Sequence, residues 1–339
     1  MDINKFKQME PMKYLGGSTA KSKVEQYLSN PDSYKGWYAA VKVDGEYGRI
    51  IKDNEGNVLI QGRGKSRVTG EYVDKTAHLP HIVEEMKNFP NGTVLLGEFA
   101  FDIVKTSSQE VATIFRCLAP KAIQRQTKRK IKFYVFDVLA YNGTEVYQLT
   151  FAQRRAILKT ILLEQKEPLA TIMILEWIPA ETALSKLDHI LRAGGEGMMI
   201  MNGSQPYFPG SRRGTVSIKI KKEIGEMTLP VIDIVEPKRE YTGKDPENWE
   251  YRDEGEPVTE YYYKGWKQGV VVDYNGRPVK VTSGISDADA KWLATPAAAE
   301  AIEAGLLFAE ITAMETVQGA NQELPSLRHP VVVRLREDG

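Results

Sequence analysis

The stretch VKVDGEYGR, residues 41–49, decides how the fold must be interpreted. The residues before Asp44-Gly45 alternate as in a β-strand, and an Asp-Gly pair favours a hairpin turn. Lys42 nevertheless lies on this strand, on the face that it shares with Ala40. A lysine on a half-exposed strand is ordinary, so the role of Lys42 depends on what the other strands carry.

Other apolar strands also carry single charged residues. Glu98 interrupts LLGEF, Glu196 precedes GMMIMN, and Lys219 and Lys221 alternate with apolar residues in VSIKIK. Buried charges are costly unless they are paired with each other, with a metal or with a ligand. These strands therefore predict a shared ionic site, of the kind that surrounds a polyanion with a divalent cation.

The composition excludes several classes of protein. The 339 residues, of which 42% are hydrophobic, are enough for one large domain or two moderate ones. No apolar run approaches the length that spans a membrane, and the first residues lack an apolar signal-peptide segment. The single cysteine, Cys117, excludes an internal disulfide framework and a multi-cysteine zinc site. We therefore expect a cytoplasmic protein, associated with the nucleoid or, if viral, located in the host cytoplasm.

Charge is distributed unevenly along the chain, although the formal net charge is zero. Residues 230–339 contain 12 Lys and Arg against 20 Asp and Glu, a net charge of −8. Residues 1–229 contain 33 basic against 25 acidic residues, a net charge of +8. This asymmetry indicates a basic binding face in the first part of the chain, with a solvated surface as the alternative.

The succession of elements predicts two domains. The first part mixes strands and helices, including a helix over 107–128. The second part contains mainly strand-like runs, among them 259–264, and a series of short strands suggests a small barrel. We expect an α+β domain over 1–226, followed by a β-barrel domain over 227–339.

Seven ordered motifs resemble those of ATP-dependent DNA ligases, which belong to the covalent nucleotidyltransferase superfamily. They are Lys42-Val43-Asp44-Gly45, QGRGKSRVTGEY, LLGEF, FYVFDVL, EGMMI, SIKIKK and SLRHPVVVRLRED. The chain is most similar to the short viral or bacteriophage form, which lacks an N-terminal DNA-binding domain. The resemblance implies an ATP-grasp-like nucleotidyltransferase (adenylation) domain, followed by an oligonucleotide-binding (OB-fold) barrel.

The resemblance also implies an activity, the ATP-dependent sealing of 5′-phosphate/3′-hydroxyl nicks in duplex DNA during replication, repair or recombination. Lys42 would attack the α-phosphate of ATP to form lysyl-AMP, AMP would pass to the 5′-phosphate, and the 3′-hydroxyl would displace it. The cations Arg63, Lys219 and Lys221, together with bound Mg²⁺ or Mn²⁺, would favour the neutral, nucleophilic form of the lysine. Positioning and charge stabilisation dominate such transfers.

Individual roles follow from the same resemblance. Glu98 would hold the ribose, Phe136 would stack on adenine, and Glu196 would bind the metal, with Glu98 as a further metal ligand. The catalytic residues would be Lys42, Asp44, Lys219 and Lys221. The nucleotide-binding residues would be Lys42, Arg49, Arg63, Glu98, Phe136, Glu196, Lys219, Lys221 and Arg336, with Arg336 and Asp338 orienting the pyrophosphate. Without the resemblance, Phe136 would be a core residue and the charged groups solvated strand ends.

Three positions depart from the family pattern. Tyr47 stands where relatives usually have an arginine, and Arg49, on the same strand face, is the candidate replacement. Ala40 stands where many relatives use a polar side chain to read adenine. The chain ends at Gly339, where the last motif normally continues with a lysine.

The implied partner is nicked double-stranded DNA, with no membrane, no obligate protein partner and a monomeric state. The candidate DNA-binding residues are Arg63, Lys128, Arg129, Lys130, Arg212 and Arg213. The run 116–132 is basic and has no acidic residue, and its alternative is a solvated helix end.

Two alternative functions stay open. One is an RNA ligase or capping-type nucleotidyltransferase of the same superfamily, which Ala40 keeps open. The other is a catalytically inactive nucleic-acid-binding protein, against which Lys42, Glu98, Glu196 and Lys219 argue. An NAD-dependent ligase is disfavoured, because that class carries a four-cysteine zinc site.

Overall fold

The computed structural model describes residues 2–15, 21–104, 106, 108–165, 168–221, 224–243, 245–313, 315–317 and 323–337. The chain divides into two compact units, Met1–Lys221 and Lys222–Gly339. The sequence predicted the domain boundary after residue 226. This residue lies inside Ile224–Val235, the first strand of the second unit.

Strands and helices alternate through the first unit. Its strands are β1 (Trp37–Val41), β2 (Glu46–Lys52), β3 (Val58–Lys65), β4 (Tyr72–Asp74), β5 (Thr93–Ala100), β6 (Lys132–Tyr141), β7 (Thr144–Glu145), β8 (Ile172–Ile174), β9 (Ile178–Pro179), β10 (Gly197–Asn202) and β11 (Ser217–Lys221). Its helices are α1 (Ile3–Gln8), α2 (Lys21–Ser29), α3 (Pro80–Glu85), α4 (Ser108–Phe115), α5 (Ala119–Arg125), α6 (Phe151–Glu164) and α7 (Ala180–Arg192), with 3₁₀ turns at Pro31–Tyr34, Thr76–His78 and Met86–Asn88.

These strands form two sheets. The larger has the order β4-β3-β2-β5-β6-β7, with β8 parallel to β6, and the smaller has the order β11-β10-β1-β9. Both faces of the larger sheet are buried, since Ile50 and Leu95 belong to one core cluster and Ile51 and Leu96 to another. The second of these clusters also contains Ala40 from the smaller sheet, so it lies between the two sheets.

The predicted hairpin at Asp44-Gly45 is wrong. Strand β1 pairs with β10 and β9, whereas β2 pairs with β3 and β5, so the chain crosses from one sheet to the other at residues 42–45. The crossing runs close to β5, because a Cβ on Gly45 would lie 2.1 Å from the carbonyl oxygen of Phe99. Glycine is the only residue that permits this approach without movement of the backbone.

The predicted helix over 107–128 is divided into α4 and α5. Pro120 occupies the first turn of α5, where its missing N–H costs no intrahelical hydrogen bond. Leu118, which precedes α5, has extended dihedral angles (φ −69°, ψ 151°), so no helix runs continuously from α4 into α5. The two helices thus pack against one another as separate elements.

The second unit is built on an antiparallel sheet. Its strands are β12 (Ile224–Val235), β13 (Arg252–Asp253), β14 (Glu256–Pro257), β15 (Gly269–Tyr274), β16 (Arg277–Val281), β17 (Leu307–Ala313), β18 (Glu315–Val317), β19 (Ser326–Arg328) and β20 (Val331–Glu337). Its helices are α8 (Glu260–Tyr263), α9 (Asp287–Trp292) and α10 (Pro296–Glu303), with a 3₁₀ turn at Pro246–Asn248. The main sheet has the order β16-β15-β12-β17-β20.

The predicted strand over 259–264 is also wrong, because this segment forms helix α8. The side chain of Thr259 accepts a hydrogen bond from the backbone N–H of Tyr262 and caps the helix. Three consecutive tyrosines favour a strand by propensity, but the local cap and tertiary packing prevail here.

Among the described residues, no helix combines the length and apolar character that crossing a membrane requires.

A buried ion pair joins helix α6 to strand β6. The guanidinium of Arg154 donates to both carboxylate oxygens of Asp137, at 2.8 and 2.9 Å, and to the carbonyl of Leu149 at 2.6 Å. Neither charged side chain is more than 2% exposed. Because Asp137 follows Phe136, this pair fixes the part of β6 from which Phe136 projects.

We predict that Arg154→Ala destabilises the protein by about 3–5 kcal/mol, because it leaves the buried Asp137 carboxylate without its cationic partner. Urea unfolding of the full chain measures the loss. Lys159→Ala, at an exposed position of the same helix, is the control and should change stability by less than about 0.5 kcal/mol. Equal effects of the two substitutions would contradict a structural role for the pair.

Candidate active site

A cavity of about 570 Å³ lies between the two sheets of the first unit. The smaller sheet and the crossing segment contribute cationic residues, and the larger sheet contributes Glu98 and aromatic residues. The lining residues are Lys13, Tyr14, Val41, Lys42, Val43, Gly45, Glu46, Tyr47, Arg63, Glu98, Phe136, Leu175, Trp177, Met199, Arg212, Lys219 and Lys221.

The crossing segment places Lys42 at the wall of this cavity. Its backbone N–H donates to the carbonyl of Gly197 at 2.8 Å, which holds the start of the segment against β10. Its ammonium group forms an ion pair with Glu196 and is largely shielded from solvent. Lys42 is therefore fixed at both its backbone and its side chain.

Glu196 connects two of the lining lysines, although it does not itself line the cavity. One carboxylate oxygen accepts from Lys42, and the other lies 2.8 Å from the ammonium of Lys221. Burial raises the pKa of Glu196, but the charges of Lys42 and Lys221 outweigh burial and hold it below its ordinary value. Glu196 is thus an anion at neutral pH and balances part of the positive charge.

Glu98 has the opposite electrostatic balance. Burial raises its pKa to about 8, against the opposing effect of Lys42 and Arg63, while Glu196 and Asp44 raise it further. At neutral pH this carboxyl group is mostly protonated in the ligand-free protein. A buried carboxyl beside two further acidic groups would ionise readily only beside an added positive charge.

The pKa of Lys219 is also shifted by its surroundings. It lies on β11 opposite Met199 of β10, and both residues line the cavity. Burial lowers the pKa of Lys219, and the neighbouring charges of Lys221 and Lys42 lower it further. Three lysines close enough to repel one another indicate a site built for an anion.

The remaining wall is aromatic. Phe136 and Tyr47 lie with their ring centroids 6.4 Å apart, and Tyr14 and Trp177 complete the wall. Phe136 is half-buried and open to the cavity, so it differs from a plain core residue. Flat apolar surfaces beside a cluster of cations suit a ligand that joins a planar ring to phosphate groups.

Arg49, the candidate replacement for the arginine that is absent at Tyr47, lies in the core. Its side chain is 1% exposed and donates to the carbonyl of Met9 at 2.6 Å, to the carbonyl of Lys7 at 3.0 Å and to Gln61. The guanidinium is therefore bound to the N-terminal segment and to Gln61 of β3, and Arg49 is not a lining residue. Its assignment to nucleotide binding has no support in this geometry.

The structure brings together most of the predicted site. Lys42, Arg63, Glu98, Phe136, Arg212, Lys219 and Lys221 all line the cavity, and Glu196 is bound to two of them. Asp44 belongs to the crossing segment but is not a lining residue. Its negative charge raises the pKa of Glu98. Ala40 is buried in the core between the sheets and does not line the cavity.

Other predicted residues lie outside the cavity lining. Lys128, Arg129 and Lys130 follow helix α5, and Arg129 forms an exposed ion pair with Glu110 at 3.3 Å. Arg213 stacks on Phe208, with its guanidinium carbon 4.1 Å from the ring centroid.

Arg336 belongs to the second unit, on strand β20, where it pairs with Glu310 at 3.4 Å. Arg334 binds the same carboxylate at 2.7 Å. Asp338, predicted to act with Arg336, lies outside the described residues.

Sequence reasoning missed several lining residues, chiefly Lys13, Tyr14 and Trp177. Trp177 follows strand β8 in MILEWI, whose apolar character only indicated a strand. Lys13 and Tyr14 precede every motif, so no spacing pointed to them. Their position depends on long-range hydrogen bonds that only the folded chain shows.

The carboxylates present suit a hard divalent cation in chemistry, since oxygen ligands are the ones that Mg²⁺ prefers. The described residues contain no group of three or more His, Cys, Asp or Glu placed to hold a metal by themselves. A cation here would have to share its coordination with a phosphate ligand or water, which is usual for Mg²⁺. Positive charge placed beside Glu98 would oppose the rise in its pKa and favour the carboxylate.

The cavity thus combines lysines and an aromatic wall, which suits a nucleotide, and comparison with known proteins defines the family. A family model described as ATP dependent DNA ligase domain matches residues 18–221, more than half of the chain. The chain belongs to this family.

Curated relatives match the sequence of this chain over part of their length. A DNA ligase of Methanococcus aeolicus is 32% identical over 165 residues, which are 48% of this chain and 28% of the relative. A DNA ligase of Methanocorpusculum labreanum is 30% identical over 160 residues, 47% of this chain and 28% of the relative. The matches thus span less than a third of these relatives.

Solved structures share the fold at low sequence identity. A structure named Pmar-Lig_Pre has a TM-score of 0.66 and 18% identity, covering 95% of this chain and 67% of that chain. A Lig E DNA ligase has a TM-score of 0.57 and 18% identity, covering 89% of this chain and 93% of that chain. The arrangement of strands and helices described above is therefore a known ligase fold.

We predict that Glu98→Gln stabilises the ligand-free protein at alkaline pH. A carboxyl whose pKa is raised by folding destabilises the protein increasingly as pH rises from about 4.5 to about 8. At pH 8.5 the variant should gain at least about 1 kcal/mol, or roughly 2–4 °C in Tm. At pH 4.5 the gain should be small, because Glu98 is then neutral in the folded protein and about half neutral in the unfolded chain.

Thermal unfolding of both proteins between pH 4.5 and 8.5 measures this difference. Glu55→Gln, in an exposed turn, is the control and should show no such trend. A gain from Glu98→Gln that is independent of pH would contradict the burial-driven shift.

Proposed function

We propose that the protein seals nicks in duplex DNA with ATP, through a covalent lysyl-AMP on Lys42. The observation that carries the proposal is the position of the Lys42 ammonium, within a cavity that combines further cations with an aromatic wall. Membership of the DNA ligase domain family and relatives named DNA ligase support the same conclusion.

The first step is attack of the Lys42 amine on the α-phosphorus of ATP. A nitrogen–phosphorus bond forms, the bond from the α-phosphorus to the oxygen that bridges to the β-phosphate breaks, and pyrophosphate leaves with the bonding electron pair. The attacking neutral amine loses one proton to solvent or to a neighbouring base, and the phosphoramidate nitrogen keeps the other. Lys219 and Lys221 stabilise the charge on the α-phosphate during this transfer.

Glu196 has a second task in this scheme. In the ligand-free protein it pairs with the ammonium group of Lys42. When the carboxylate takes another cationic partner, that pairing is lost and the Lys42 side chain is free to approach the nucleotide. A divalent cation held by Glu196 and Glu98 would supply such a charge and also offset the charge of the phosphates.

The aromatic wall positions the base and the sugar. Phe136 is assigned to stacking on adenine, and the Asp137–Arg154 ion pair behind it holds the strand in place. Glu98 is assigned to the ribose, whose hydroxyl groups can bond to either protonation state of a carboxyl group. Because Ala40 is buried away from the cavity, base selection rests on other lining groups.

The later steps join DNA. AMP passes from Lys42 to the 5′-phosphate of the nick, and the 3′-hydroxyl then displaces AMP, with Asp44 assigned to this last step. Arg63, exposed at the end of β3, is assigned to the 5′-phosphate. The second unit, whose main sheet has five antiparallel strands, is assigned to an OB-fold, and Arg336 in it to the pyrophosphate of ATP.

We predict that Lys42→Ala abolishes covalent labelling by radiolabelled ATP and Mg²⁺, and that Lys42→Arg does so as well. A guanidinium stays protonated at neutral pH and cannot attack phosphorus. Gel analysis after acid or hydroxylamine treatment identifies the phosphoramidate bond. GTP in a parallel reaction tests the capping-type alternative.

Label that persists in Lys42→Ala would overturn the assignment of the nucleophile. No label in the wild-type protein with either nucleotide would overturn the proposed activity itself. Preferential labelling by GTP would favour the capping-type enzyme over the DNA ligase.

The basic residues after helix α5 are assigned to DNA backbone contacts. Lys128, Arg129 and Lys130 are all exposed, and Arg129 also pairs with Glu110 across the surface. An exposed ion pair contributes little to stability, so Arg129 can exchange Glu110 for a phosphate at small cost. Such contacts give affinity without sequence selectivity.

We predict that replacing Lys128, Arg129 and Lys130 by Gln weakens nick binding and flattens its salt dependence. The log–log slope should fall by about two to three, close to one per lost phosphate contact. Lysine adenylation needs no DNA and should stay normal. An unchanged slope with normal sealing would leave these residues as solvated surface.

A further inference from the structure

Two cations at the mouth of the cavity lie outside the motifs that carry the family chemistry. Lys13 precedes residues 18–221, which match the family, and Arg212 precedes the strand of Lys219 and Lys221. Both side chains are exposed and both line the cavity. The roles proposed above assign the deeper lysines, Lys219 and Lys221, to the α-phosphate and assign no role to Lys13.

The backbone around Lys13 is held in a defined position. Its N–H donates to the carbonyl of Ser211 at 2.9 Å, and the N–H of Lys219 donates to the carbonyl of Leu15 at 2.9 Å. The segment therefore forms two isolated parallel bridges, Leu15↔Ile218 with β11 and Lys13↔Arg212 with the residues before that strand. The bridge fixes the backbone of Lys13, and so the direction in which its side chain leaves the chain.

Further contacts hold the same segment from its other end. Arg49 donates to the carbonyl of Met9 at 2.6 Å, and the N–H of Met12 donates to the hydroxyl of Tyr207 at 2.7 Å. Met9 and Met12 are buried in the core between the sheets. Lys13 thus projects from a segment that is pinned on both sides.

The β-bridge between Lys13 and Arg212 places these two residues side by side. Paired residues on neighbouring strands project from the same face, and like charges in such a pair are unfavourable unless an anion lies between them. Within the described part of the chain, neither side chain forms an ion pair or hydrogen bond with another residue. Arg213, the neighbour of Arg212, differs in this respect, because it bonds to Ser211 and stacks on Phe208.

We propose that Lys13 and Arg212 form a second phosphate subsite at the mouth of the cavity. This inference rests on the proposed function, since the deeper lysines are taken to hold the α-phosphate of ATP. The subsite would bind a separate phosphate group, either the terminal phosphates of the nucleotide or the 5′-phosphate of the nick. Both groups carry the same chemistry, and both must approach through the mouth.

Direct binding measurements test the subsite without relying on catalysis. Lys13→Gln, Arg212→Gln and the double variant are compared with wild type for inorganic pyrophosphate by calorimetry. The same proteins are compared for a nicked duplex with a 5′-phosphate against the same duplex with a 5′-hydroxyl. Lys7→Gln is the matched control, because it removes one lysine from the same segment at a position that does not line the cavity.

Loss of one charge-assisted phosphate contact should weaken binding about tenfold or more. Weaker pyrophosphate binding alone assigns the subsite to the nucleotide, and loss of the advantage of the 5′-phosphate alone assigns it to the nick. Lys13→Arg should keep most of the affinity in either case, because it retains the positive charge. Lys13→Gln and Arg212→Gln that both behave like Lys7→Gln in both assays would overturn the proposal.

This test separates the subsite from the proposed activity. If the wild-type protein forms lysyl-AMP while Lys13→Gln binds pyrophosphate and the 5′-phosphate duplex normally, the subsite is refuted and the proposed activity stands. Wild-type protein that forms no lysyl-AMP would refute the activity, and the pyrophosphate and DNA measurements would still decide the subsite.

Discussion

The passage of the chain from one sheet to the other at residues 42–45 is the constraint on which the rest of the site depends. Gly45 permits it, because any side chain there would collide with the backbone of β5. The crossing brings Lys42, at the end of the smaller sheet, close to Glu98 in the larger one. A hairpin at the same place would have left both residues on one sheet, with no cavity between two.

Charge balance then determines what this cavity can do. Glu196 compensates Lys42 and Lys221, while Lys219 and Arg63 add positive charge on the same walls. Glu98 lies at the point where burial and other acidic groups disfavour its ionised form. The ligand-free site is therefore ready for an anion beside the lysines and for a cation beside the acids, which is the charge pattern of a metal-bound nucleotide.

The N-terminal segment is part of this site and not an appendage to it. Arg49, which the sequence suggested as a nucleotide ligand, instead binds backbone carbonyls of this segment. A buried guanidinium requires several acceptors, and the carbonyls of Lys7 and Met9 provide them. Through this anchorage the segment delivers Lys13 and Tyr14 to the cavity, although both lie before the residues that define the family.

The sequence by itself indicated the family, through the resemblance of its seven ordered motifs, and the principal charged residues, because charges within apolar strands need a partner or a ligand. Lys42, Glu98, Lys219 and Lys221 could be recognised in this way. Only the tertiary structure decided that Asp44-Gly45 is a crossing and not a turn, and that 259–264 is a helix and not a strand. It also excluded Arg49 from the cavity and added Lys13, since hydrogen bonds between residues far apart in sequence leave no local pattern.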